Sequence, residues 1–262
     1  MVSQSHMTVA ILCGGQGTRA YPYTRRMPKA LMPVDGLPIV EQVMRIYASF
    51  GYWDFILSVG YLKEHIIEYF ETAQKRYGWN VRCVDTGDTT DTGGRIQGLK
   101  DMLTPTFHAT YCDGLGDVDI DELVRFHRWH GGNSTMTAVR LRSQYGIVGF
   151  REEDGRVTHF EEKPVIPDRW INAGFFVFDH SVFDQWEGSN LERDVLPSLA
   201  NYEQLHIYRH TGFWRSMDTH KDQQELTPLW QEYSGRYASE AATGRLRKVA
   251  GAEGWTAAGG AS

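Results

Sequence analysis

Residues Thr8 to Gly14 read TVAILCG, an apolar run with no polar alternation that ends on glycine. Such a strand needs cover on both faces, because a strand half open to water alternates apolar and polar side chains. A loop reading GQGTR follows. LPIVEQVMRIYASFG then sets Ile39, Val43, Ile46, Tyr47 and Phe50 at helical spacing, with Gly51 at the stop. The unit recurs as DFILSVG with LKEHIIEYFETAQKRYG, then NVRCVD with GGRIQGLKDML, and a fourth strand in FHATYCDG. Strands alternating with helices predict an α/β fold: a Rossmann-like, mostly parallel sheet with helices on both faces. Ligands of such sheets collect beyond the carboxyl ends of the strands, which makes the turns after Cys13 and around Gly114 the expected site.

From Ser134 the texture shifts to STMTAVRL, GIVGFREEDGRVTHFEEKP and WINAGFFVFD, with shorter strands and less helix. Asp154-Gly155 between alternating runs predicts a hairpin. This half is expected to add an antiparallel subregion over the site. We therefore expect one domain over 8–233, made of halves 8–133 and 134–233. Residues 234–262 form a small-residue-rich C-terminal extension, expected to be partly disordered with order ending near Tyr233.

The 262 residues carry a net charge of -6, which argues against a nucleic-acid partner, since phosphate-backbone binding rests on a basic surface. Any phosphate site must be local. No apolar run reaches the roughly 18 residues of a membrane span, and MVSQSHM has no charged-then-apolar leader, so a cytoplasmic protein is expected. Cys13, Cys83 and Cys112 lack metal-ligand spacing and are expected to be buried, reduced thiols.

Within GGQGTR, Gly14, Gly15 and Gly17 let backbone N–H groups approach an anion, and Arg19 adds a charged fork. The spacing matches neither a P-loop nor the dinucleotide fingerprint. Lys29 sits between Pro28 and Pro33, and with Arg25 and Arg26 it makes a positive patch suited to focusing an anion. Asp113 lies at a strand end, with Asp117, Asp119 and Asp121 beyond it. Few protein carboxylates, completed by substrate phosphates and water, are the habit of Mg²⁺. Asp121 is read as a helix N-cap and left out of the site. In HFEEKP, alternation is expected to turn Glu161 and Lys163 to one face and Glu162 to the other.

GGQGTR, then PK ten residues after the arginine, then DG, EKP, NAG and MDT resemble, in order and spacing, the sugar-1-phosphate nucleotidyltransferases over about Val9 to Tyr233. VDTGDTTDTGGR, DGLGDVDI, FEEKP, INAGFFV and GFWRSMDT are most similar to its glucose-1-phosphate cytidylyltransferase branch. The resemblance implies transfer of a nucleotidyl group from a nucleoside triphosphate to a sugar 1-phosphate with release of pyrophosphate, closest to CTP plus glucose 1-phosphate giving CDP-glucose. It implies that Leu12, Gly14, Gly15, Gly17 and Thr18 with Thr92, Gly93, Gly94 and Arg95 bind nucleotide, and that Arg19, Lys29 and Asp113 are catalytic. Asp113 and Asp218 would hold Mg²⁺. Gly146, Glu162, Lys163, Asn172 and Trp214 would bind the sugar phosphate. A homo-oligomer is expected by the same analogy. Another sugar, a cyclitol or a phosphonate as acceptor, another base, or a non-catalytic sensor of these ligands remain open at this level.

Overall fold

The computed structural model describes residues 7–243, with side chains described to 237. In chain order the elements are β1 (Val9–Leu12), β2 (Pro33–Val34), β3 (Leu37–Pro38), α1 (Ile39–Ser49), β4 (Asp54–Val59), α2 (Lys63–Tyr77) and β5 (Asn80–Asp85). Next come α3 (Thr92–Gln97), β6 (Thr106–Tyr111), β7 (Gly114–Gly116), α4 (Ile120–His130), β8 (Ser134–Arg142), β9 (Ile147–Phe150), β10 (Val157–Glu161) and β11 (Val165–Asp179). The last are α5 (Leu196–Asn201), β12 (Leu205–Arg209), β13 (Trp214–Ser216) and α6 (His220–Thr243).

Seven strands form one sheet in the order β12-β8-β11-β6-β1-β4-β5. β1 runs parallel to β4 and β6, and β5 parallel to β4. β11 alone is reversed, pairing antiparallel with both β6 and β8, while β12 lies parallel to β8. The second half of the chain thus mainly widens the first sheet, while the β9-β10 ribbon and the short β13, which pairs with β7, stand apart. The connection within the ribbon is longer than a two-residue turn: Arg151 N–H donates to the Arg156 carbonyl at 2.9 Å, with Gly155 at φ 70° inside.

β1 shows why its run is apolar throughout. Val9 and Ile11 enter the core under α1, α2, α4 and α6, whereas Ala10 and Leu12 enter the core shared with Ile96 of α3 and Leu196 and Leu199 of α5. Each fully buried Ile or Phe contributes roughly 1.5–3 kcal/mol by leaving water.

Several expectations are corrected. The helix from Gly93 stops at Gln97 because Gly98 gives it little reason to continue, and a single 3-10 turn over Lys100–Met102 follows. Asp119, not Asp121, caps α4: its carboxylate accepts from the Glu122 N–H at 2.8 Å, and Asp121 lies in the first turn. Cys13 and Cys112 are buried but Cys83 is only half-buried, on edge strand β5; all three are free thiols. Order does not end near Tyr233. α6 continues to Thr243, and Tyr237 stacks on Trp230 with ring centroids 5.5 Å apart. The remainder of the expected extension, 244–262, lies outside the described residues.

His108, in the centre of β6, is fully buried with its ring edge-on to Tyr47 and Tyr52. Burial, with a smaller push from His127, lowers it from 6.5 to about 3. The folded chain then holds His108 neutral where the unfolded chain takes up a proton, so stability is lost as pH falls from about 6.5 toward 3. His130, lowered to about 4 by burial and then by His206 and His127, acts in the same direction. We expect His108→Phe to reduce this acid sensitivity by up to about 1.4 kcal/mol per pH unit. Urea midpoints at neutral pH and at about pH 4.5 check it: an unchanged difference between the two would remove His108 as the cause.

Candidate active site

The strand ends of β1 and β6 open onto a cavity of about 640 Å³. Its walls include Leu12, Gly14, Gly15, Gly17, Thr18, Arg19, Lys29, Thr92, Arg95, Asp113, Asn172, Trp214 and Asp218. These are most of the residues anticipated from sequence.

The glycine loop leaves β1 at Cys13, whose N–H still pairs with Ser58 at 2.8 Å. From Gly14 to Thr18 no backbone N–H donates to a described residue. A run of unspent amide donors is the feature of an anion-binding nest. Gly17 takes φ 60°, and a Cβ there would lie 3.1 Å from the Lys29 Cβ, so glycine is what lets the loop settle on the lysine stem.

Gly14 answers a different constraint. The Arg95 guanidinium is buried beneath it, donating to the Gly14 carbonyl at 2.9 Å and to Thr86 Oγ1 at 2.8 Å. A Cβ on Gly14 would fall 1.8 Å from Arg95 Nη1. Burial, only partly offset by neighbouring acidic groups, pulls the Arg95 pKa below its ordinary value. Arg95 therefore braces the loop from within. Gly14→Ala is expected to cost roughly 1–3 kcal/mol by overpacking and to raise the triphosphate KM about tenfold or more. Thermal melts and a KM determination check this, and wild-type values in both would show that Arg95 moves aside freely.

Lys29 opens a 3-10 turn held by Leu31 N–H to the Pro28 carbonyl at 2.9 Å. Its ammonium donates to Asp113 Oδ2 at 2.5 Å and Asp218 Oδ1 at 3.0 Å. The two carboxylates are 84 and 189 residues away in sequence. They meet because β7 and β13 pair antiparallel, with Ser216 opposite Gly114, and Met217 N–H donates to the Asp113 carbonyl at 2.9 Å. The chain then enters α6 through a reciprocal cap: Asp222 accepts from Thr219 N–H at 2.7 Å and returns its own N–H to Thr219 Oγ1 at 3.1 Å. Asp218 N–H also donates to Asp222, at 3.0 Å, which fixes the carboxylate's origin. Burial by itself would depress Lys29, but Asp113 and then Asp218 outweigh it and hold the ammonium above its ordinary 10.5. Arg19, its side chain 73% exposed, reaches Asp218 Oδ1 at 3.0 Å, and at that exposure the pair adds little in water.

On the opposite wall, Asn172 Nδ2 donates to the Tyr111 hydroxyl at 3.1 Å, and the hydroxyl donates to Glu192. Gly174, at φ 80°, makes room for the Tyr111 ring, which a Cβ would meet at 2.3 Å; NAG carries its glycine for that reason. Trp214 Nε1 donates to the Ala173 carbonyl at 2.8 Å. Tyr111 and Glu192 were missed from sequence. Tyr111 adjoins Cys112 at a strand end and could have been found; Glu192, in the turn Leu191–Val195, carries no local pattern.

Other anticipated residues lie outside the walls. Gly93 and Gly94 pack on the backbone of Ser189, whose carbonyl a Gly93 Cβ would approach to 2.8 Å. Thr92, the wall residue next to them, donates its hydroxyl to Glu192 at 2.7 Å. Gly146 and Glu162 meet at the end of the β9-β10 ribbon, a Gly146 Cβ falling 2.9 Å from Glu162 Oε2, and the Lys163 carbonyl accepts from Arg142 at 3.2 Å. The expected alternation does not reach Lys163, because β10 ends at Glu161 and Lys163 turns at φ 48°. Arg25 and Arg26 are exposed and outside the cavity, Arg25 resting 5.0 Å from the Tyr21 ring centroid. Asp117 pairs with His210 at 3.0 Å instead of facing the cavity.

A divalent cation is a chemical fit to this donor set. Two carboxylates lie within 3.0 Å of one ammonium nitrogen, beside open amide donors, leaving the other ligand positions to phosphates and water. Among the described residues no group of three or more His, Cys, Asp or Glu side chains could hold a metal without such help. No helix of the described residues is long and apolar enough to cross a membrane.

Comparison with known proteins agrees with this geometry. The family described as Nucleotidyl transferase matches residues 8–228. Glucose-1-phosphate cytidylyltransferase of Salmonella typhimurium is 36% identical over 86% of this chain and 96% of its own length. Mannose-1-phosphate guanyltransferase beta-A of Xenopus laevis is 30% identical over 82% of this chain and 62% of its own. The solved structure of HddC from Yersinia pseudotuberculosis shares the fold, with a TM-score of 0.65 at 18% identity, covering 86% of this chain and 99% of that one. A glycine loop with unspent amides, set over a lysine that joins two carboxylates from distant parts of the chain, is thus found in a member of the nucleotidyl transferase family, and this chain belongs to that family as an enzyme.

Proposed function

We propose that the chain transfers the cytidylyl group of CTP to glucose 1-phosphate, giving CDP-glucose and pyrophosphate. The observation that carries this reading is the Lys29 ammonium between Asp113 and Asp218 at the mouth of the glycine loop. A phosphate oxygen of the sugar phosphate attacks the α-phosphorus in line, one P–O bond forms, and the bond to pyrophosphate breaks. That oxygen is already anionic at neutral pH, so no side chain has to remove a proton. What the protein supplies is position and charge.

In this reading the Gly14 to Thr18 amides and Arg19 hold the triphosphate, with Leu12, Thr92 and Arg95 shaping the nucleotide end. Lys29 neutralises charge gathering on the α-phosphoryl and departing pyrophosphate. Asp113 and Asp218 hold Mg²⁺, which when bound supplies further neutralisation of the phosphates. Asn172 and Trp214 orient the sugar, and the sugar phosphate reaches past them toward Gly146 before β9 and toward Glu162 and Lys163, on the segment that leads along β11 into Asn172. A homo-oligomer completes the reading, and light scattering measures it.

Pyrophosphate release across the four nucleoside triphosphates against glucose 1-phosphate, mannose 1-phosphate, a cyclitol phosphate and a phosphonate tests the assignment. Fastest turnover with CTP and glucose 1-phosphate is expected. Preference for another pair overturns the substrates while keeping the chemistry, and no turnover with any pair overturns the enzyme reading.

A further inference from the structure

Cys13 and Cys112 play no part in the reaction described above, yet both are walls of its cavity. β1 and β6 are parallel neighbours with Leu12 opposite Tyr111, so the next residue on each, Cys13 and Cys112, also stand opposite one another. Both belong to the core on one face of the sheet, while Leu12 and Tyr111 face the core on the other. Adjacent strands lie roughly 4.7–4.9 Å apart, within the roughly 4.4–6.8 Å of Cα separation across which two cysteines can be joined. The thiols interact with each other, and both are free. Cys13 precedes Gly14 of the anion loop, and Cys112 precedes Asp113.

We propose that Cys13 and Cys112 form a dithiol site on the cavity floor that takes a soft, thiophilic, trivalent centre, with a monosubstituted arsenical as its simplest occupant. Such a reagent, R–As=O, loses its oxygen and gains two As–S bonds. The two thiol protons leave with that oxygen as one water molecule, and nothing is oxidised or reduced. Burial, reinforced by Cys112, holds the Cys13 thiol well above its ordinary value, so thiolate-dependent attack on single-bond alkylating agents is slow. A centre that bonds both sulfurs gains its second bond intramolecularly, which selects for bridging reagents. The bridge carries its substituent into the space between the glycine loop and Asp113, where it excludes the triphosphate.

Phenylarsine oxide is the probe, used on the reduced full-length chain, with intact mass and pyrophosphate release read together. The expected result is one adduct, equal to the reagent less one water, with at least a tenfold loss of turnover that dimercaprol reverses and excess β-mercaptoethanol does not. Cys83→Ala keeps this response, because Cys83 is not a wall of the cavity. Cys13→Ala and Cys112→Ala each lose the monothiol-resistant adduct. Peptide mapping of the wild-type adduct places the bridge on the Cys13 and Cys112 peptides, which keeps the test decisive if a variant fails to fold. Absence of an adduct, a bridge involving Cys83, a monothiol-resistant adduct in Cys112→Ala, or an adduct that leaves turnover intact would each overturn the proposal. The mass readout does not depend on which substrates the enzyme uses.

Discussion

Asp113→Asn is expected to lower pyrophosphate release about a thousandfold while the chain remains folded. The amide keeps the size of the carboxylate and removes its charge, so the side chain can no longer share a divalent cation with Asp218. Removing one preorganised charge-stabilising group from a transition state typically costs ~10²–10³ in rate, and here the loss of metal affinity adds to it. The fold is spared because Asp113 is held mainly by its backbone, through the β7-β13 ladder and the Met217 N–H. Lys29 also keeps Asp218 as a partner. Steady-state rates across a Mg²⁺ titration, beside a thermal melt, give the answer. A shift to higher Mg²⁺ demand accompanies the loss; turnover within tenfold of wild type at ordinary Mg²⁺ would take Asp113 out of the metal site.

Lys29→Met is the second large effect, with an expected loss of ~10²–10³ in turnover. In the wild type the ammonium's pKa is raised, so its contribution to stability is present below its ordinary 10.5 and lost only as pH climbs through the folded value. Methionine fills similar space without charge, leaving Asp113 unpaired among the described residues and Asp218 with only the exposed Arg19 guanidinium. Steady-state rates beside a thermal melt measure the effect. A variant that keeps wild-type turnover would sink the charge-neutralising role of Lys29.

The sheet's first half was legible because its signals are local. An unalternating apolar run, glycine stops and helical periodicity are properties of ten to fifteen consecutive residues, and Val9 to Leu12 took the double-faced burial that its composition demanded. The second half was harder: β8 and β12 are parallel neighbours at one end of the main sheet, joined to it through the reversed β11, a strand order that no local pattern encodes. Asp119 and Asp121 are both plausible caps two residues apart, and only the hydrogen bond to Glu122 N–H separates them.

Sequence by itself determined the class of fold, the glycine loop, and the chemical types brought to the site: an amide-rich turn, a proline-flanked lysine and aspartates next to glycine or threonine. Tertiary structure decided which of these meet. Lys29, Asp113 and Asp218 converge because two three-residue strands pair across 100 residues of chain, and Arg95 turns inward to brace Gly14 because its guanidinium finds carbonyl and hydroxyl acceptors there. Tyr111 and Glu192 join at the cavity wall while Glu162 and Lys163 stay outside it, just beyond the end of the ribbon. The physical reason is the range of the forces involved: propensity and periodicity act between neighbours in sequence, whereas ion pairs and packing act between neighbours in space.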